Sequence, residues 1–154
     1  MGPEALRVAG IGRAIARFGV EVTDRGNLNG PSNPDLPAIN GFRHLPEVVA
    51  WNRGVHDAVR AELASAQRPV VLGQVRAALG WQRPVVLGGD HCLAIGSVSA
   101  IARHCRETGS KLQVLWLDAH ADFNTAALTP TGNLHGMPAA CLCGHGPLPL
   151  TRIG

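Results

Sequence analysis

Two short segments concentrate the residues that could do chemistry, Gly88-Gly89-Asp90-His91 and Asp118-Ala119-His120-Ala121-Asp122, and each follows an apolar run. The carboxyl end of a buried parallel strand is where open α/β sheets hold their active sites. In an extended segment the side chains at i, i+2 and i+4 share one face, so Asp118, His120 and Asp122 converge on one point, and His91 joins them from the adjacent strand. Carboxylates and imidazoles crowded in this way repel unless a cation sits among them. With hard oxygens dominating and one imidazole per ion, Mn²⁺ fits better than thiolate-seeking Zn²⁺ or Cu⁺, and a carboxylate bridging two ions is the natural arrangement. The plainer alternative is that Asp118 and His120 only cap the following turn. Ions of this kind bring the pKa of a bound water toward neutrality, and a pair about 3.5–4 Å apart can share the resulting hydroxide. Hydrolysis of a poor electrophile is the reaction class expected.

A third segment, 129–138, offers a hydroxyl (Thr131), a carboxamide (Asn133) and an imidazole (His135) on a Gly-punctuated loop, with Asn124 nearby. Neutral donors suit the carboxylate of a small zwitterionic substrate, and His135 could carry a proton to a leaving group at neutral pH. Asn and Thr beside Gly are also ordinary turn formers. Cys141-x-Cys143-x-His145 could form a soft metal site, but thiols alternating with apolar residues in a reduced protein are more often core or surface filler. His44, His56 and His104 lie outside any constellation and are expected on the surface.

The elements that must position these groups alternate between helix and strand. Pro3 suits a first helical turn, with Val8, Ile11, Ile15 and Phe18 at helical spacing and Gly19 at the C-terminal cap. A short strand from Val20 to Thr23 follows, then Gly/Asn/Pro-rich loop chemistry from Asp24 to Leu45. Pro46 starts a second helix with Val48, Trp51, Val55 and Val59 as its buried stripe, ending near Ala66. The unit 59–73 is then nearly restated at 75–88, Gln-Arg-Pro-Val-Val-Leu-Gly occurring identically in both. Two units are too few for a solenoid, so this reads as a local tandem duplication whose second copy, Pro84 to Leu87, is the strand leading into Gly88. Ile95 to Arg106 is a helix with Ile95, Val98, Ala102 and Cys105 on one side, closed by Gly109, and Leu112 to Leu117 is a buried parallel strand. The stretch from Asp118 to Met137 and the tail from Gly144 read as loop. The pattern favours a doubly wound α/β layer.

Length and composition bound the partners. The chain has 154 residues, 14 Lys+Arg against 11 Asp+Glu, 45% hydrophobic and 16% charged residues, which excludes a charged disordered chain and leaves at most one domain. The basic residues are scattered with no basic–aromatic interleave, so no nucleic-acid partner is expected. Apolar runs are short and no cleavable leader is visible, so neither is a membrane. Four Cys without a secretory signal point to reduced thiols and a cytoplasmic location.

Gly-Gly-Asp-His-Cys-Leu-Ala-Ile-Gly (88–96), Leu-Asp-Ala-His-Ala-Asp-Phe-Asn-Thr (117–125) and Thr-Gly-Asn-Leu-His-Gly-Met-Pro (131–138), in this order and spacing, resemble the arginases of the ureohydrolase superfamily. The third element separates arginases from agmatinase-like relatives, which share the first two. The resemblance runs from about Gly2, through Leu6-Arg7 and Asp24-Arg25-Gly26-Asn27-Leu28, to about Cys143. It implies hydrolysis of L-arginine to L-ornithine and urea at a two-manganese centre. In that centre His91, Asp118 and Asp122 would hold one ion, with Asp118 and His120 contributing to the other. Asn124, Thr131 and Asn133 would receive the amino acid's carboxylate end, and His135 would be the proton shuttle. Cys92 and Thr131 stand where the family more often has Ser. The resemblance also implies an Asp-x-Asp pair from a later strand and acidic residues for the substrate's amino group, yet no Asp or Glu follows Asp122. The fold expected is therefore a partial three-layer αβα arginase-like domain with a parallel sheet, truncated at both ends, occupying 1–154 with the internal duplication. Four of the family's six metal ligands remain, so weak metal binding and little hydrolysis are expected. A non-catalytic fragment that docks on another chain, or an agmatinase-like amidinohydrolase, are the alternatives. The family implies a homo-oligomer, trimer or hexamer, for a complete chain.

Overall fold

The computed structural model describes residues 2–65 and 83–154. Most of the duplication, 66–82, lies outside the described residues; its ends are the last turns of a helix and the chain at 83–88. The opening helix is two helices, α1 (Gly2–Val8) and α2 (Ile11–Ala16), because Gly10 between them takes a left-handed φ of 82°. The stripe expected across both does not form: Val8 and Phe18 are each 86% exposed. Instead α1 is tied to the loop after α2, where the Arg7 guanidinium grips Asp24 at 2.7 and 3.1 Å.

That loop ends in a tight turn the residue types demand. Asn40 and Gly41 have φ of 51° and 81°, the left-handed pair of a type I′ turn, which Asn-Gly favours. Ile39 and Phe42 exchange both backbone hydrogen bonds across it, at 2.8 and 3.0 Å.

The centre of the molecule is α3 (Leu45–Ser65) against α4 (Ala94–Glu107). The buried face of α3 is Val49, Asn52, Val55, His56 and Val59. Val55 and Val59 are as expected, while Val48 and Trp51 are only half-buried. On α4 the inward residues are Ile95, Gly96 and Ala100; Val98, Ala102 and Cys105 are half-buried. The shift has a cause at the crossing, where a Cβ on Gly96 would collide with the Asn52 backbone carbonyl, so glycine lets the two helices touch. The Asn52 side chain, 0% exposed, accepts from the Gly96 N–H at 2.7 Å and donates to the Val48 carbonyl at 2.9 Å. It satisfies one of the first-turn amides that a helix leaves without internal partners. Arg60 and Arg103 reach Glu107 at 2.6 and 3.1 Å on the outer side of the same crossing. Gly109 (φ 68°) closes α4, with Ser110 donating to Cys105 and Gly109 to Arg106, the Schellman pattern.

A second cluster of Cys92, Ile95, Leu134, Met137, Cys141 and Leu150 packs beside Val49. It draws in α5 (Pro138–Leu142) and α6 (Leu148–Thr151). The tail is thus more ordered than its composition suggests, Leu150 being its buried anchor. His56 is buried rather than solvated, its Nδ1 2.9 Å from Asp57, and His44 and His104 are half-buried.

The expected parallel sheet is not formed among the described residues. Residues 20–23, 84–87 and 112–117 pair with no described strand, and the bridge found among the described residues is Ile39 to Phe42. A strand exists through its neighbour's backbone groups, and apolar pattern alone cannot supply them. The alternation survives without the pairing: Leu112, Val114, Trp116 and Asp118 line one groove, while Leu115 and Leu117 are 82% and 85% exposed. No described helix is long and apolar enough to cross a membrane.

Candidate metal centre

Three anchored turns build a cleft of about 280 Å³ lined by Gly89, Asp90, His91, Asp118, His120, Asp122 and His135. His91 opens a 3₁₀ turn, His91–Leu93, that runs directly into α4. Asp90 caps that turn by accepting the Cys92 N–H at 2.9 Å, and the buried Cys92 pins it to the core. Asp118 ends the apolar 112–117 run and accepts the His120 N–H at 2.9 Å, so the capping expected of it as the plainer alternative does occur. That N–H, joined by the nearby His91, holds the Asp118 carboxyl below the usual carboxylate range.

Asp122 is fixed through its backbone. Its φ is 50°, a left-handed conformation uncommon outside glycine, and its carbonyl accepts the Ala139 and Ala140 N–H groups at 3.0 and 3.4 Å. The first-turn amides of α5 therefore hold Asp122. Asn124 N–H to the Gly136 carbonyl (3.0 Å) ties the same stretch to the 3₁₀ turn Leu134–Gly136. Leu134 and Met137 are buried on either side, which leaves His135 projecting at the cleft with its Nδ1 3.8 Å from Asp90 Oδ2.

The result is a convergence of ligand atoms. His91 Nδ1 lies 2.9 Å from Asp118 Oδ2 and 2.6 Å from Asp122 Oδ2, and the three groups offer atoms all within 4.8 Å of one another. Asp122 Oδ2 is buried and, despite its closeness to the His91 ring, makes no hydrogen bond of acceptable geometry. A buried carboxylate oxygen left unmatched costs about 1–3 kcal/mol, more when charged, and a cation between the groups would remove that penalty. Two carboxylates and an imidazole suit a hard divalent ion such as manganese. His120 is the outlier: its ring lies 3.3 Å from Asp118 Oδ1 but is 82% exposed, and it stands outside the three-residue cluster.

The residues expected to take the substrate's carboxylate are placed differently. Asn124 is exposed beside Gly136, the exposed Thr131 accepts the Asn133 N–H at 3.2 Å, and Asn133 is half-buried. None of the three lines the cleft. Gly132, at φ 74°, packs so closely on the Gly41 carbonyl that a Cβ would come within 2.9 Å, and Arg43 N–H donates to the Gly132 carbonyl at 2.8 Å. The Asn40-Gly41 turn therefore sets where this loop stands.

Two neighbours of the site carry no assigned role in the sequence reading. Asp90, part of the Gly88–His91 motif, lines the cleft as a further carboxylate, and the Trp116 ring stacks on His91 with centroids 4.7 Å apart and planes at 22°. Trp116 was legible in principle, because it sits two residues before Asp118 and therefore on the same face of an extended chain. Cys141 is buried, and burial pushes its thiol up to about 11, while Cys143 is exposed and His145 packs on Phe123; one thiol lies in the core and the other at the surface.

The sequence model of the arginase family matches residues 1–153. The arginase of Brucella melitensis is 42% identical over 146 residues, covering 94% of this chain and 42% of the relative. The arginase of Brevibacillus brevis is 35% identical over 154 residues, covering 100% and 45%. Among solved structures, the native arginase of Bacillus caldovelox at pH 5.6 superposes with a TM-score of 0.79 at 34% identity, covering 100% of this chain and 46% of that one. The arginase of Bacillus subtilis gives 0.76 at 31% identity, covering 99% and 44%. The chain thus spans less than half the length of these relatives, and its backbone follows their α/β fold over that span.

Proposed function

The chain belongs to the arginase family, and from that premise we propose that its cleft is part of a manganese-dependent centre for hydrolysing L-arginine to L-ornithine and urea. The observation that carries the reading is the meeting of His91 Nδ1, Asp118 and Asp122 around a buried carboxylate oxygen that lacks a hydrogen-bond partner. His91, Asp118 and Asp122 would hold one ion, and Asp118 with a reoriented His120 would contribute to a second. Bound divalent ions supply Lewis acidity and bring a water's pKa toward neutrality.

The chain's own residues do the rest. Asp118, kept ionised by the His120 N–H, presents its other oxygen toward His91. The α5 amides anchor the Asp122 backbone, so its carboxylate would be placed beside His91 before an ion bound. Hydrolysis joins water to the guanidinium carbon and breaks the bond to the ornithine nitrogen, which must leave protonated. His135 stands at the rim with an exposed ring able to deliver that proton. Asn124, together with Thr131 and Asn133 on the loop that Asn40-Gly41 supports, is the proposed receiver of the substrate's carboxylate.

Within these 154 residues no Asp or Glu follows Asp122, so the chain by itself offers four of the six ligands the family uses. It is therefore expected to bind manganese weakly and to release little urea. Free thiols at Cys92, Cys105, Cys141 and Cys143 support a reducing, cytoplasmic setting, and a homo-oligomer, trimer or hexamer, belongs to the same family reading.

The test is Mn²⁺ uptake measured by loss of the free-ion paramagnetic resonance signal, alongside urea release. The parent chain should bind in the micromolar to millimolar range, Asp122→Asn should lose measurable binding, and turnover should be far below that of an ordinary enzyme, with arginine preferred over agmatine as a competing ligand. Uptake unchanged in Asp122→Asn would refute the assignment of the centre. Steady urea production at an ordinary enzymic rate would refute the predicted impairment. No uptake by a compact, cooperatively melting parent would favour a non-catalytic chain.

A further inference from the structure

We propose that Trp116 is a positioning residue for the metal centre, its indole face setting the plane of the His91 ring so that Nδ1 points between Asp118 and Asp122. The inference rests on the metal reading above and adds a residue to it.

His91 has few other restraints. It is the first residue of a single 3₁₀ turn, and its side chain is 40% exposed. Nδ1 faces the two carboxylates, which fixes where one atom of the ring lies but leaves the ring free to swing about that direction. The stack with Trp116 supplies the missing constraint, because two nearly parallel rings 4.7 Å apart define a plane. Trp116 is itself wedged. Its ring lies between the cleft and the apolar groove that also contains Ala139, Cys141 and Leu150, and its Nε1 is buried with no hydrogen-bond partner. Two-residue periodicity explains how one segment serves both ends of the contact, as Trp116 and Asp118 project to the same side, one onto the face of the imidazole and the other onto its nitrogen.

Groups that orient a ligating histidine commonly govern metal affinity by about 10–100-fold when they act by hydrogen bond; a stacking contact is weaker, so about three- to tenfold is expected. Mn²⁺ dissociation constants are measured by paramagnetic resonance for the parent chain, Trp116→Leu and Trp116→Phe, with far-ultraviolet circular dichroism as a check on folding. Trp116→Leu should bind three- to tenfold more weakly, and Trp116→Phe, which keeps a ring face, should stay within about twofold of the parent. Equal affinity in Trp116→Leu, or an equal loss in both variants, would overturn the stacking role while leaving the metal centre standing. Absence of binding in the parent would bring down the centre and this inference together. A second measurement needs no variant: substoichiometric Mn²⁺ should broaden the Trp116 indole proton resonance before that of Trp51, and simultaneous broadening of the two would contradict the stack.

Discussion

Replacing Asn52 tests whether its bond to Gly96 holds the α3–α4 crossing together. In Asn52→Ala the Gly96 N–H loses its acceptor at 2.7 Å in a fully buried position. A buried donor left without a partner costs about 1–3 kcal/mol. The amide's packing volume is lost as well, adding about 1 kcal/mol, while alanine's better helix propensity returns about half of that. The Val48 carbonyl loses only a supplementary donor, since it lies within α3. The net expectation is a loss of about 2 kcal/mol, or about 4–8 °C in melting temperature for a chain of this size. Asn52→Asp keeps an acceptor for Gly96 but buries a charge, so it should be at least as damaging. Thermal unfolding followed by circular dichroism at 222 nm is the assay. An Asn52→Ala variant that melts within about 1 °C of the parent would show that water or a backbone shift satisfies Gly96, and the account of the crossing would be wrong.

Gly96→Ala should destabilise by more than Asn52→Ala despite alanine's helix propensity of about 1 kcal/mol in its favour, because the new Cβ meets the rigid Asn52 backbone carbonyl; a neutral or stabilising effect in urea unfolding would contradict the close approach. Iodoacetamide at pH 8, followed by mass spectrometry, should label the exposed Cys143 first and leave Cys92 and Cys141 untouched until urea is added, since burial raises both thiols, Cys141 to about 11, and only thiolate reacts; early labelling of Cys141 would count against its burial. Asp24, Glu107 and Asp118 all have carboxyls depressed by donors, respectively Arg7, Arg60 with Arg103, and the His120 N–H. A depressed folded-state value means that the stabilisation is complete above the ordinary carboxylate range and disappears as pH falls through the depressed values. The melting temperature should therefore hold steady from pH 7 to about pH 5 and drop below about pH 4; a rise on acidification would reverse the assigned sign.

The donor types were legible because they lie in local spacing. The two-residue period of Asp118, His120 and Asp122 suggests a shared face, of which the structure brings Asp118 and Asp122 to His91, and His91 follows a Gly-Gly turn at the head of a helix. The long helices announced themselves through apolar periodicity and the caps at Pro46 and Gly109. Gly10 was missed as a break because a single glycine inside a helical pattern gives no sign of which φ it will take. The Asn40-Gly41 turn could have been read from its dipeptide alone. Val55, Val59 and Ile95 face inward as their periodicity predicts, whereas Val49 replaces Val48, Asn52 replaces Trp51 and Ala100 replaces Ala102, because the crossing is set by the Asn52–Gly96 contact, which belongs to two helices at once.

What the sequence determined by itself is the kind of donor available, carboxylate and imidazole, and the order in which three motifs bring them, since covalent spacing is a property of the chain. Tertiary structure alone decided which of those donors meet. Asp122 joins His91 because α5 amides capture its backbone from residues far along the chain, and His120, equal to it by spacing, turns to solvent instead. It also decided that the apolar 112–117 run stays outside any ladder among the described residues. Pairing belongs to two segments at once, and no single segment's sequence carries it.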